Sequence, residues 1–216
     1  TIIDYGAGIG QHGYLLMQSL KQRCQEYQIP IDRFTLILAD VSPKSIDFWN
    51  HHPKLKPFID SKLIKPHQLD GKWLSDLKSL CHNDDSAHCL IANYLLDSMP
   101  FVAYENHTPL GLKLSAPRKH LNPDFTGPLN TLSLKNTYPS QTTKEHKWRK
   151  RYQNIQRYTI PTTAIQFINQ YFTNPERMMI INDKCFTSPE TIDYCEEFNL
   201  IHEGCFSSTV NMDAII

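Results

Sequence analysis

The chain has 216 residues, 40% of them hydrophobic and 20% charged, which suits one sizeable globular domain or two small ones and excludes a disordered chain. Its 22 basic and 22 acidic side chains cancel, so no global field draws it to nucleic acid or to an anionic membrane. No apolar run approaches the roughly 18 residues a membrane span needs, and the first residues read as a buried strand rather than a signal peptide, so a cytoplasmic protein is expected.

In chain order, residues 1–4 form a short apolar strand that runs into "GAGIGQHG". From Gln11 to Tyr27 the apolar residues recur at helical spacing, and Pro30 follows the end of that helix. "FTLILAD" (34–40) is an almost continuous apolar run ending in an acid, as a strand buried on both faces looks. Pro43 opens a helix that Pro53 closes. "KLIKPHQLD" (62–70) is a weaker strand, demoted by Pro66, and "HCLIAN" (88–93) is a fourth. "FVAYENHTPLGLKLS" reads as a hairpin turning at His107 to Pro109, and residues 116–143 as a long loop. A basic helix is predicted over 144–158, then a helix capped by Thr162 or Thr163 and ending at Phe172, and a fifth strand over 177–183. Strands alternating with helices predict an α/β fold with a doubly wound, mostly parallel, Rossmann-like sheet.

The first turn carries the chemistry. Gly8, Gly10 and Gly13 spell the G-x-G-x-x-G of a dinucleotide site, while Gly6, Gly8 and Gly10 spell the G-x-G-x-G of many S-adenosylmethionine (SAM) sites. Asp4, at the end of the strand, would repel a diphosphate and suits a ligand ammonium group. Asp40 lies further along than the roughly 20 residues a dinucleotide template expects, yet ends strand two where its oxygens can accept ribose hydroxyls. Asp70, at the end of strand three, is placed to meet an adenine amine, with a helix N-cap as the alternative role. SAM is therefore the expected cofactor, held by Asp4, Gly6, Gly8, Gly10, Asp40, Asp70 and Asn93.

Other features carry less. The six cysteines show no framework spacing and read as reduced side chains. "CHNDDSAHC" (81–89) does not match an established zinc pattern, so no metal is expected. The basic stretch 144–151 reads as a solvated helix face, and no nucleic-acid partner is expected.

"ANYLLDSMPFVAY" (92–104) resembles the "AN-E-LLD-x-(L/M)-P-V" segment of the MidA-type methyltransferases, the family of the mitochondrial complex I assembly methyltransferase and its bacterial relatives. "IIDYGAGIG", "LADVSP", "MMIINDKCF" and "HEGCFSSTVNMDAI" resemble further segments of that family in order along most of the chain. The resemblance implies a class I methyltransferase fold, SAM as cofactor and a nitrogen nucleophile as acceptor, with protein arginine methylation known for the mitochondrial branch. It implies that Asp4, Gly6, Gly8 and Gly10 form the SAM loop, that Asp40 is the ribose acid, and that Asn93 and Asp97 form the motif after strand four. Asn93, Asp97 and, at the end of strand five, Asp183 are the candidate catalytic residues. Tyr94 stands where the family has Glu, and Cys185 where it has Gly.

The expected organisation is a SAM-binding half over 1–100, a hairpin, loop and basic-helix insertion on the substrate side over 101–160, and a continuation of the Rossmann-like domain over 161–216. The chain reads as a piece of a longer protein, with the last strands of such a fold expected to be absent. The expected partner is a protein, as substrate or as ligand. Two alternatives stand beside the enzyme: a methyltransferase fold that binds a protein partner without turnover, and an NAD-dependent oxidoreductase.

Overall fold

A computed structural model describes residues 1–81, 89–110, 143–193, 199–202 and 205–215. The stretch 82–88 of the zinc-like segment, the end of the expected hairpin beyond Leu110, the loop 116–142 and Cys195 lie outside the described residues. Two compact units emerge, Thr1–Leu96 with Gln166–Asp183, and Asp97–Ile165 with Lys184–Ile216.

The first unit begins with β1 (Ile2–Tyr5), α1 (Gln11–Glu26), β2 (Leu36–Asp40), α2 (Pro43–His51) and α3 (Lys56–Asp60). It continues with β3 (Ile64–Gln68), α4 (Trp73–Cys81) and β4 (Cys89–Asn93). The remaining strand of its sheet, β8 (Met178–Asn182), comes late in the chain. The five strands are all parallel, in the order β3-β2-β1-β4-β8. This is a Rossmann-like α/β sheet whose strand order reverses between β1 and β4, so the carboxyl ends of those two strands frame a ligand crevice. Pro66 is tolerated because β3 is an edge strand, where one missing N–H costs no ladder bond on the outer side.

Alternation along β1 sorts its side chains. Asp4 pairs in register with Leu38 and shares the face that packs against α1 and α2, where Met17, Leu36, Leu38, Trp49, Leu55 and Ile64 are buried together. Tyr5 lies on the other face, edge-on to Phe167 at 5.2 Å and stacked on Trp73 at 6.2 Å. Its hydroxyl is buried and has no hydrogen-bond partner among the described residues, and burial, with the nearby Asp76 charge adding to it, pushes its pKa far up.

The second unit holds β5 (Val102–Glu105), β6 (Thr108–Leu110), α5 (Thr143–Arg151) and β7 (Arg157–Ile160). Then come the start of α6 (Thr162–Tyr171), β9 (Cys185–Phe186), α7 (Pro189–Asp193), β10 (Asn199–His202), β11 (Cys205–Ser208) and β12 (Val210–Asn211). β6, β5 and β7 make an antiparallel sheet, β10 pairs with β11, and β12 pairs parallel with β9. Two expectations are corrected here. The hairpin turns at Asn106 and His107, both left-handed (φ 46° and 62°), the geometry of a two-residue turn between Glu105 and Thr108. The basic helix stops at Arg151, because Tyr158, Thr159 and Ile160 are buried as a strand against β5.

That unit closes through its C-terminal "VNMDA" run. Asn211, fully buried, donates from Nδ2 to the Thr159 carbonyl at 2.8 Å. Asp213 accepts from Arg151 Nε at 2.6 Å, from Arg151 Nη2 and from the Tyr152 hydroxyl at 2.7 Å. The guanidinium holds the Asp213 carboxyl below the usual carboxylate range. Among the described residues no helix is long and apolar enough to cross a membrane.

Candidate functional site

The β1–α1 turn is built on three left-handed glycines, Gly6, Gly8 and Gly10, at φ 77°, 56° and 75°. A side chain at such a position costs about 1–2 kcal/mol, and space adds a second demand. A Cβ on Gly6 would sit 2.9 Å from Leu95 Cδ1, and one on Gly10 2.8 Å from Trp49 Nε1. Gly13, already helical, lies where a Cβ would stand 2.4 Å from Leu38 Cδ2, so it lets α1 lie against the sheet.

The loop's N–H groups are largely committed within the protein. Gly6 and Ala7 both donate to the Ala39 carbonyl, at 2.8 and 3.0 Å, and Gly10 donates to the Ala7 carbonyl at 2.9 Å. Gly8 donates to Asp40 Oδ2 at 2.8 Å, and the other oxygen of that carboxylate accepts from the Ser42 N–H at 2.8 Å. Asp40 is thereby fixed beside the loop by one bond to each oxygen, and a carboxylate has about four acceptor positions in all. Trp49, from α2, donates Nε1–H to the Gly8 carbonyl at 3.1 Å and seats the loop from below.

Asp4 is 2% exposed. Among the described residues its hydrogen-bond partner is His12 Nδ1, 3.2 Å from Oδ2. Burial raises its pKa, and the His12 contact opposes that rise. A carboxylate this deep with so few donors gains from a cation placed beside it. The same site treats an anion badly: the carboxylates of Asp4 and Asp40 flank the turn, and the Gly6, Ala7, Gly8 and Gly10 N–H groups are bonded within the protein.

Asp70 is exposed at the end of β3. The carboxylate that closes the turn into α4 is not its own but that of Asp76, which accepts from the Asp70 N–H at 3.2 Å and the Lys72 N–H at 2.8 Å. The turn role considered for Asp70 thus belongs to a residue buried in α4.

At the end of β4, Asn93 pairs in register with Asn182 of β8, and Asn182 Nδ2 donates to Asn93 Oδ1 at 2.7 Å. Tyr94 follows at φ 50°, the residue 57% exposed and its N–H held by the Asn182 carbonyl at 2.8 Å. Leu95 turns inward and is buried. Asp183 Oδ2 accepts from the Leu96 N–H at 2.8 Å, tying the segment after β4 to the end of β8. Asp97, half-buried on the single 3₁₀ turn Leu96–Ser98, is the first residue of the second unit.

The first unit therefore brings Asp4, the three turn glycines and Asp40 together, and sets Asn93 and Asp183 at the carboxyl ends of β4 and β8. Reasoning from the sequence missed His12, Trp49, Asp76 and Asn182. His12 lies inside the glycine motif and Asp76 only four to six residues from the N–H groups it holds, so both were open to notice; Trp49 and Asn182 act through contacts across the fold that no local spacing announces. Among the described residues no group of His, Cys, Asp or Glu is arranged to hold a metal ion. No protein-family model, curated protein or solved structure matches the chain.

Proposed function

We propose that the protein is a SAM-dependent methyltransferase of the class I type, akin to the MidA group, acting on a nitrogen nucleophile of a protein. The observation that carries this reading is the buried Asp4 carboxylate, whose hydrogen-bond partner among the described residues is His12, beside a turn flanked by a second carboxylate, that of Asp40. Such a turn fits a ligand with an ammonium group and no phosphate. In this reading Asp4 faces the ammonium, the free lone pairs of Asp40 accept the ribose hydroxyls, and the exposed Ile9 and Val41 side chains offer apolar surface to an adenine ring. Asp70 takes the exocyclic amine. When bound, the cofactor supplies an activated methyl group for in-line transfer. The protein's own contribution is to orient the acceptor nitrogen, a task that falls to Asn93 at the end of β4.

A second reading, a partner-binding methyltransferase fold without turnover, is favoured by a specific feature. Asn93 and Asp183 both spend acceptor positions on bonds inside the protein, and Tyr94 occupies the place of an acidic residue. Incubation with methyl-labelled SAM and a cellular protein extract separates the two. Label transferred by the wild type and lost in Asp40→Ala supports the enzyme. Saturable SAM binding with no transfer to any protein supports the partner-binding fold.

A further inference from the structure

The hydrogen-bond partner that the described residues give Asp4 is itself ionisable. His12 places Nδ1 3.2 Å from Asp4 Oδ2, with the carboxylate side chain 3% exposed and the imidazole 46% exposed. The ring thus links a buried acid to solvent, with which it exchanges protons. An ionised carboxylate only accepts, so Nδ1 turns its hydrogen toward Asp4, and a second proton on Nε2 makes the contact an ion pair. His12 is the second residue of α1, whose first turn holds no acidic side chain. The helix field there opposes a positive charge, so the group that favours the imidazolium is Asp4.

The charged groups of the elements around this pair are engaged elsewhere or turned to solvent. In register beside Asp4 stand the apolar Leu38 and Ile91. The end of β2 brings Asp40, each of whose oxygens accepts a backbone N–H. From α2 comes the neutral Trp49, while Lys44 is exposed and Asp47 pairs with His51 at the surface. Beyond α2, Lys54 lies over the Tyr14 ring at 5.8 Å, and in α3 Lys56 pairs with Asp60.

Building on the methyltransferase reading, in which Asp4 faces the ligand's ammonium, we propose that His12 is the resident counter-ion of Asp4, exchanged for that ammonium when SAM binds. In the free protein the imidazolium neutralises the carboxylate. Two cations brought to one buried carboxylate repel each other, and the imidazolium is the one that discharges. Its Nε2 proton passes to water, and the neutral ring keeps its Nδ1–H toward Asp4. Cofactor binding is thereby coupled to release of a proton, and it weakens on acidification through the range where histidines titrate. Asp4 is the competing source of a proton, because burial favours its neutral form, and the test separates the two.

That test is calorimetric titration of SAM into the full chain at pH 6, in phosphate and in MES, buffers that differ in ionisation enthalpy. The two heats should differ by the amount that about half a proton released per SAM produces. Affinity should be about fivefold weaker at pH 5.5 than at pH 7, the change that such a release gives over that span. Both effects should vanish in His12→Gln, which keeps a neutral donor for Asp4. Imidazole nitrogen shifts of the wild type, assigned through the backbone, should show His12 less protonated at pH 6 once SAM is added. Three results would each overturn the proposal: equal wild-type heats in the two buffers, undiminished release from His12→Gln, which would place the proton on Asp4, or a His12 ring that SAM leaves unchanged. No SAM heat at pH 7 would overturn the methyltransferase reading and this proposal with it, whereas SAM heat without proton release overturns the proposal alone.

Discussion

Asp4 sets a conflict between stability and binding that can be measured at a single residue. Its pKa is raised by burial, so the folded state holds this carboxyl's proton more tightly than the unfolded chain does. The sign follows: this contribution favours folding below the ordinary carboxylate pKa and is lost as pH rises through the raised folded value. At neutral pH the ionised group is a burden in the ligand-free protein. Asp4→Asn should therefore raise the midpoint of thermal unfolding at pH 7 while weakening SAM binding by about tenfold or more, roughly one lost charge contact. Unfolding scans and calorimetry on the same sample check both halves. Tyr94 makes the parallel case for backbone strain. Tyr94→Gly, which relieves a left-handed tyrosine and removes an exposed ring, should stabilise the protein by about 1 kcal/mol, read from urea unfolding. The positions of Asp4 and Asp40 beside the glycine turn were legible because each sits near the end of an apolar strand, where the run meets a charge. The strain at Tyr94 was not, since nothing in "ANYLLD" signals the Asn182 clasp that enforces it.

Elements show the same division between local and tertiary causes. β1, β2, β4, α1 and α2 were readable because apolar period and proline punctuation agree there with the fold. The basic helix was read too long. Tyr152 and Ile155 continue a helical spacing after Arg151, yet Tyr158 stacks on Tyr104 of β5 at 4.9 Å, and that cross-strand pairing decides the conformation of the whole stretch. The seat of α1 on the sheet depends on Gly13. Its φ is not left-handed, so only space is at issue, and the neighbouring Leu38 is fully buried with little room to yield. Gly13→Ala should destabilise the protein by about 1–3 kcal/mol, the usual penalty for overpacking a core, measured by urea unfolding.

Across the whole molecule, the sheet of the first unit was foreseeable from alternating strands and helices. The second unit was largely not, for it is assembled from very short strands whose partners are distant in sequence. β9 and β12 have two residues each, Cys185–Phe186 and Val210–Asn211, too few for any periodicity to show. Its closure by Asp213 predicts an acid-sensitive unit. Arg151 depresses the Asp213 pKa, so the stabilisation is present above the ordinary carboxylate range and is lost as pH falls through the depressed folded value. Protection of the β7 amides, relative to their intrinsic exchange rates at each pH, should fall on acidification from about pH 5 downward, and Asp213→Asn should show lower protection already at pH 7, with a shallower dependence on pH. The central claim, however, concerns the ligand of the glycine turn. Its most direct test is calorimetric titration of SAM into the protein, with NAD as the control ligand and Asp40→Ala as the control for the site. The account predicts saturable heat with SAM, none with NAD, and loss of the SAM signal in Asp40→Ala. A well-folded protein that binds NAD, or that gives no heat with SAM, would contradict it.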